Sequence, residues 1–293
     1  MLVYIYLLLT IIFWGWSFIA TKILLDYVTP VELMGLRFII ALPILYAIIV
    51  AKGIKLKFEP KHRKWVLIGS AIVTAHFLVQ ITGLIYTSAT NTGWIIAVTP
   101  LVMALAAFAF LKEKIGRKEM AGIGVATIGI VLLVSKGKIA SLDWIQSVGD
   151  WLILASAHTW ALYTVATRDL VRSYNPLVVT FAILLPSAVL LLGHMTFASE
   201  WSRFLQLPLE AVVALIFLGV CSTALAHWFW QEGVAKLGAA RSGFFLYLMP
   251  LATTVLAVPY LDEKFGLLTA AGGVLVLAGV YIAQRRAART TRV

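Results

Sequence analysis

The sequence predicts an all-α integral membrane protein with ten transmembrane helices, arranged as two five-helix inverted repeats. The prediction depends on three observations: the composition, the spacing of the apolar runs and an internal repeat. Hydrophobic residues make up 61% of the 293 residues, charged residues make up 13%, and the mean hydropathy is +0.96. An ordinary soluble domain has roughly 45–50% apolar and about 25% charged residues. This chain therefore lacks the polar surface that a water-exposed domain needs.

The charge pattern argues against a nucleic-acid partner. The formal net charge is +11, but the basic residues lie in short gaps between apolar runs. That distribution is typical of the cytoplasmic loops of a membrane protein and not of a basic groove. The single cysteine, Cys221, excludes an internal disulfide and a cysteine-based metal site. The first apolar run begins at Leu2 without a basic leader, so we expect a retained helix and not a signal peptide.

Ten apolar runs are long enough to cross a hydrocarbon core, which needs roughly 20 residues in a helix. They succeed one another through short connections, so neighbouring helices are expected to run antiparallel. The predicted spans are 2–21, 30–51, 65–86, 90–111, 118–135, 148–168, 176–196, 209–231, 239–261 and 267–284.

The orientation follows from Lys and Arg, which concentrate in cytoplasmic loops. With a cytoplasmic N-terminus, the basic segments 52–64, 112–118 and 285–292 all lie on the cytoplasmic side. The second half contributes mainly through the C-terminal tail. The sequence therefore predicts the cytoplasmic (inner) membrane, both termini in the cytoplasm and a basic cytoplasmic tail at 286–293.

The chain repeats itself. A shift of 150 residues places 89–132 on 239–282 without a gap and pairs Pro100 with Pro250. The string Leu-x-Glu-Lys-x-Gly occurs at 111–116 and again at 261–266, where it is expected to form a structural turn. The predicted repeats are 1–136 and 147–285. Because each holds an odd number of spans, the second is inserted upside down, an arrangement typical of transporters with a site near the midplane.

These features together resemble the drug/metabolite transporter superfamily, specifically its ten-helix family with two EamA-type domains. The resemblance covers essentially the whole chain and implies a permease for small metabolites, without naming the substrate. The residues that carry it, besides the two prolines and the two repeated turns, are Trp14, Gly15, Ser17, Pro30 and Arg37.

Polar side chains at mid-span are costly and indicate a candidate site. His76 and Gln80 lie one turn apart in span three. The stripe beginning at Trp14 is repeated by the one beginning at Trp160, so the two are expected to face each other. The predicted cavity residues are Trp14, Ser17, His76, Gln80, Trp94, His158, Trp160, Tyr163 and Tyr247. The alternative for the histidines is interhelical hydrogen bonding, and for the tryptophans interfacial anchoring, which is the interpretation favoured for His227 and Trp228.

Pro100 and Pro250 are expected to kink their helices, and symmetric hinges would suit gating. Glu32 and Arg37 lie in the first turns of span two, where they are expected to snorkel or to pair with each other or a loop. No charged residue is placed confidently at mid-span. A cavity of this kind suits a neutral or zwitterionic solute, and helix ends at the kinks could meet its carboxylate and ammonium groups.

The predicted function is secondary transport, most simply the export of amino acids or related solutes by alternating access. The alternatives are a multidrug or lipophilic-solute exporter of the same fold, an integral-membrane transferase and a channel. The sequence lacks the clustered carboxylates that an enzyme would need. It also lacks the filter motif that a channel would need. No cofactor or metal is predicted, and no G-x-x-x-x-G-K-[ST] loop for ATP is present. Proton coupling through His76 and uniport both stay open, and two fused halves make a monomer sufficient.

Overall fold

The computed structural model describes residues 1–112, 116–135, 147–261 and 267–284 of the chain, and every secondary-structure element within them is helical. The helices, numbered in chain order, are α1 (Leu2–Leu25), α2 (Pro30–Ala51), α3 (Pro60–Tyr86), α4 (Ala89–Leu111), α5 (Arg117–Ser135), α6 (Val148–Ser173), α7 (Pro176–Ala198), α8 (Leu209–Leu237), α9 (239–261) and α10 (Leu267–Gln284). A short 3-10 helix, Trp201–Gln206, precedes α8.

Within the described residues, six of these helices are long and apolar enough to cross a membrane: α1, α2, α3, α4, α7 and α8. They are 22 to 29 residues long, and a span needs about 20. Large apolar side chains such as Phe110, Val189 and Phe197 point outward and are mostly exposed, as lipid-facing residues would be. The prediction of a helical multi-pass membrane protein is confirmed, and the division into ten spans stays a prediction.

Several helices extend beyond their predicted bounds. Helix α3 begins five residues earlier, at Pro60, and α8 continues six residues further, to Leu237. The hydropathy of the sequence marks only the apolar stretch, whereas a helix continues into the polar layer until a cap or a glycine ends it. The Glu-Lys pairs at 113–114 and 263–264 and the tail 286–293 lie outside the described residues.

Local sequence explains where the helices begin. Thr29 and Glu32 form a reciprocal capping box at the start of α2, and Ser147 and Asp150 form another at the start of α6. Helices α2, α3 and α7 all begin with proline, whose fixed φ and missing N–H suit the first helical position.

Three helices change type along their length. In α4, a 3-10 turn at Ile96–Val98 is followed by an α segment that holds Pro100 near its start. In α9, the 3-10 turn Phe244–Leu248 precedes the segment Met249–Leu261 in the same way. The two prolines thus begin a new α segment after a tightened turn, where simple kinks were expected. Helix α8 contains a π segment at Leu218–Leu225, which the sequence analysis did not foresee.

The two halves of the chain pack against each other extensively. Helix α5 lies against α10, α3 against α6, and α1 against both α8 and α9. The closest approach is the crossing of α5 and α10, where a Cβ at Gly279 would lie only 2.5 Å from the backbone nitrogen of Ala126. A Cβ at the repeat-related Gly129 would lie 2.7 Å from the carbonyl oxygen of Gly272. Small residues permit this backbone contact.

Candidate functional site

A small cavity lies between α1, α2, α3, α4, α6, α8 and α9. Its volume, measured as the space open to the centre of a water-sized sphere, is about 40 Å³. The lining residues are Trp14, Ser17, Phe18, Thr21, Arg37, His76, Phe77, Gln80, Ile81, Leu84, Ile96, Thr99, Ser156, Ala157, Trp160, Ser222, His227, Leu246 and Met249. Both halves of the chain therefore contribute to one cavity.

Aromatic rings form one wall of this cavity. Trp14 and Trp160 meet edge to face, with ring centroids 4.9 Å apart and an interplanar angle of 85°. His227 and Trp230 lie 5.3 and 5.4 Å from Trp14. Edge-to-face pairs place the positive edge of one ring over the negative face of another. The wall is thus rigid and largely apolar, with a few polar edges.

His76 is held by α6. Its Nδ1 donates to the backbone oxygen of Ser156 at 3.0 Å, which assigns the proton to Nδ1 because a carbonyl only accepts. The ring lies 4.9 Å from Trp160. Gln80, one turn further along α3, reaches the Ser156 hydroxyl at 3.5 Å. The pair predicted from the sequence therefore lies at the α3–α6 contact and also faces the cavity.

The π segment of α8 brings hydrogen-bonded backbone and hydroxyl groups to the site. The Ser222 carbonyl oxygen accepts from the Trp14 indole at 3.1 Å and from His227 Nδ1 at 2.9 Å. The Thr223 hydroxyl donates five residues back, to Leu218 oxygen at 2.7 Å. A wider helical turn opens the backbone in this way, and such turns are frequent at functional sites.

Arg37 is buried, with 4% of its surface exposed. Its Nε donates to the Thr223 hydroxyl at 2.9 Å and one terminal nitrogen donates to the Ser222 hydroxyl at 3.3 Å. The guanidinium carbon lies 5.0 Å from the centre of the Phe77 ring. Of the alternatives expected for Glu32 and Arg37, pairing with each other is not observed, whereas pairing with a loop is: Glu32 caps α2 and pairs with Arg203 of the turn before α8.

Four buried polar atoms beside the cavity have no hydrogen-bond partner among the described residues: Trp160 Nε1, His227 Nε2, Trp230 Nε1 and Gln231 Oε1. Two are donors and two are acceptors, since the Nδ1 proton of His227 leaves its Nε2 as a lone pair. Buried polar groups are normally satisfied, so such a group calls for water or a ligand.

Several charged groups elsewhere in the described structure have protein partners. Arg241, near the start of α9, donates to Glu119 of α5 at 3.1 Å, and Lys22 donates to the Leu84 carbonyl oxygen at 2.7 Å. Between α1 and α2, the Tyr27 hydroxyl donates to Glu210 at 3.0 Å, and this hydrogen bond raises the pKa of Tyr27. No three His, Cys, Asp or Glu side chains within the described ranges come together as a metal site would require.

Five of the predicted cavity residues line the cavity: Trp14, Ser17, His76, Gln80 and Trp160. Tyr163 lies behind this wall, 5.0 Å from the Trp160 ring, and accepts a hydrogen bond from Gln231.

Three predicted residues lie elsewhere. His158 points outward and is exposed, and its Nδ1 donates to its own helix at Leu154 oxygen. Residues two apart on a helix point about 200° apart, so His158 and Trp160 cannot face the same cavity. Trp94 and Tyr247 are buried in a separate cluster that packs on α10.

Arg37 and His227 line the cavity, although neither is among the residues predicted for it from the sequence. His227 was placed near the end of a span, but α8 continues to Leu237 and the ring is almost fully buried. Ser156 and Ser222 were missed because small hydroxyl residues are common in membrane helices. The repeat offered a partial signal, since span eight corresponds to the His76 span.

Comparisons with known proteins place the chain among transporters. The model of the EamA-like transporter family matches residues 1–135 and 147–284. An uncharacterized transporter from Archaeoglobus fulgidus is 29% identical over 94% of this chain and 95% of its own length.

Two relatives have more informative descriptions. A probable terminal-alkyne amino-acid exporter from Streptantibioticus cattleyicolor is 28% identical, covering 96% of this chain and 92% of its own. A probable amino-acid metabolite efflux pump from Salmonella typhimurium is 27% identical, covering 94% and 92%. A crystal structure of a protein 21% identical shares the fold, with a TM-score of 0.75 over 98% of each chain.

Proposed function

This chain belongs to the EamA-like transporter family, and on that basis we propose that it exports amino acids or related neutral and zwitterionic solutes. The export is secondary transport by alternating access across the cytoplasmic membrane. Family membership makes the chain a multi-pass membrane transporter with a small-molecule substrate. The solute, the direction and the mechanism are the proposal.

The observation that carries the proposal is the edge-to-face contact between Trp14 and Trp160. The two residues correspond under the repeat, one from each half, and their rings form one wall of the cavity. Inverted-repeat transporters hold their substrate near the midplane at the interface of the repeats. A cavity walled by equivalent residues of both halves suits that position.

The proposed architecture is ten spans in two inverted repeats, 1–136 and 147–285, followed by the tail 286–293. The helix contacts support it, because they recur when the halves are exchanged. The contact of α3 with α6 corresponds to that of α8 with α1, and the contact of α4 with α6 corresponds to that of α9 with α1. The contact of α5 with α10 corresponds to itself.

Gating is assigned to the two 3-10 turns. Ile96 and Thr99, at the turn of α4, line the cavity, and so do Leu246 and Met249 at the turn of α9. A few residues at the junction of two helical segments can absorb the backbone changes of a hinge. Pro100 and Pro250 would mark the fixed ends of these hinges.

The solute class is inferred from the walls and from the relatives. Aromatic rings, a histidine and hydroxyl groups suit a small solute with an apolar part, and no described carboxylate lines the cavity. Two relatives are described as a probable amino-acid exporter and a probable amino-acid metabolite efflux pump.

We propose that both termini lie in the cytoplasm and that the protein acts as a monomer, because both halves of the cavity lie in one chain. Proton coupling and uniport are both compatible with this site.

The test is counterflow of radiolabelled amino acids into proteoliposomes that hold the purified protein, with protein-free liposomes as the control. The expected result is uptake that one class of unlabelled amino acid competes. Absence of counterflow for every amino acid, in protein that elutes as a single folded species, would contradict the proposal. Lipophilic amines and dyes, tested in the same liposomes, would then decide for the lipophilic-solute alternative.

A further inference from the structure

Arg37 is an unusual residue to find beside this cavity. It lies seven residues after Pro30, so it is roughly 10 Å along α2 from the start of the helix. Its side chain is 4% exposed and lines the cavity. A buried cation at this depth is costly, and an intramembrane ionisable residue points to a function.

The protein supplies no negative charge for this cation within the described residues. The two hydroxyls of Ser222 and Thr223 are neutral acceptors, and the Phe77 face contributes only a cation–π contact. Five ion pairs are formed in the described ranges, and none includes Arg37. The nearest acid in the sequence, Glu32, pairs with Arg203. The positive charge is thus held in place but not neutralised.

The geometry leaves donors available for a ligand. A guanidinium has five N–H groups, and the described hydrogen bonds use one on Nε and one on a terminal nitrogen. Three N–H groups therefore remain, which is enough for the paired donation that a carboxylate accepts. The hydroxyls of the π segment fix the plane of the guanidinium, so its remaining donors are pre-oriented.

We infer that Arg37 binds the carboxylate of the transported solute, so that the substrate is a small organic monocarboxylate with an apolar part. This inference rests on the proposed function and narrows it. A solute with two or more negative charges would need a second cation, and Arg37 is the one Lys or Arg among the described lining residues. The apolar part lies against Trp14 and Trp160.

The remaining polar atoms account for an amino group on such a solute. His227 lines the cavity, and its Nε2 is a buried acceptor without a partner among the described residues. His227 and Arg37 both contact the Phe77 ring, at 5.3 and 5.0 Å. An α-amino acid therefore has an anion anchor and a neutral acceptor in one site, while a carboxylic acid without the amino group would use Arg37 alone.

The test uses matched compounds and a binding readout that does not require transport. Thermal unfolding of the detergent-purified wild-type protein is followed with L-phenylalanine, 3-phenylpropionate, L-phenylalaninamide and 2-phenylethylamine, and with the corresponding leucine series. Ligands that bind the native state raise its midpoint. The two carboxylates of either series are expected to stabilise the protein, and the amide and the amine are expected to bind roughly 10- to 100-fold more weakly, the usual weight of hydrogen bonds to a charged group.

Variants test whether the preference for a carboxylate depends on Arg37. Arg37→Gln is expected to bind acid and amide equally weakly, and Arg37→Lys is expected to keep part of the preference because it keeps the charge. Arg63→Gln, at an exposed arginine near the start of α3, is the control and should behave as the wild type. If Arg37→Gln does not fold, the comparison of acid with amide on the wild type still tests whether binding requires the carboxylate.

The outcomes separate the two proposals. Equal binding of acid and amide by the wild type, no binding of any carboxylate, or an unchanged preference in folded Arg37→Gln would each overturn the inference. Carboxylate binding without counterflow in proteoliposomes would support the anchor and contradict the export function. Counterflow of amino acids with no dependence on Arg37 would support the export function and contradict the carboxylate anchor.

Discussion

The crossing of α5 and α10 gives a sharp test of the packing. A Cβ at Gly279 would lie 2.5 Å from the Ala126 backbone nitrogen and 2.6 Å from the Gly122 carbonyl oxygen. The perturbation is Gly279→Ala, which adds one methyl group against rigid backbone atoms. The control is Gly124→Ala on α5, because a Cβ at Gly124 would meet nothing within 4 Å.

The expected magnitude follows from these distances. Ordinary contacts of a Cβ begin at 3.4 Å, so the helices would have to separate by about 0.9 Å at the crossing. Overpacking of this kind costs about 1–3 kcal/mol. Both variants share the gain of roughly 1 kcal/mol that a helical glycine gives on replacement by alanine. The difference between them therefore isolates the clash, at about 1–3 kcal/mol in favour of Gly124→Ala.

The assay is thermal unfolding in one detergent, followed by intrinsic tryptophan fluorescence, for the wild type and both variants. Gly279→Ala should unfold at a clearly lower temperature than Gly124→Ala, and Gly124→Ala at the same temperature as the wild type or higher. Coincident unfolding of the two variants would refute the close crossing. A loss of stability in Gly124→Ala alone would show that the helix faces are assigned the wrong way round.

Three further predictions concern the cavity and its surroundings. His76→Ala should abolish counterflow in folded protein, whereas the exposed His158→Ala should retain it, and equal activity of the two variants would remove His76 from the site. Trp14→Leu removes an edge-to-face pair worth about 0.5–1.5 kcal/mol, so the free energy of unfolding should fall by at least that amount, and an unchanged midpoint in thermal unfolding would contradict the wall. Glu32→Gln weakens the cap of α2 and the pair with Arg203, whose side chain is 42% exposed; a loss of about 1 kcal/mol in thermal unfolding is expected, and coincident curves would count against it.

The sequence predicted the features that follow from composition and repetition. Apolar runs separated by basic gaps required a helical membrane protein. The repeat also paired Trp14 with Trp160, and their rings meet in the structure. These predictions need no knowledge of how each helix is rotated about its axis.

The features that escaped prediction depend on rotation and on local helix type. His158 was assigned to the cavity from its depth alone, although its spacing from Trp160 already placed it on the opposite side of α6. The role of Arg37 depends on α8, since its two hydroxyl partners are brought to it by the π segment. Nothing in the composition of 218–225 distinguishes it from an ordinary α-helix.

The π segment also makes the two halves unequal. Helix α3, its counterpart under the repeat, is α-helical from Pro60 to Tyr86, so only one copy carries the widened turn. In a carrier of the proposed kind, the inward-open and outward-open forms are then chemically different and are not equivalent under the pseudo-two-fold symmetry of the repeat. The solute can bind with different strength from the two faces of the membrane. The position of the transport equilibrium is unaffected, because the structure of a carrier cannot change the free-energy difference of the solute across the membrane. What the unequal halves determine is how fast the carrier turns over in each direction when the gradients are steep.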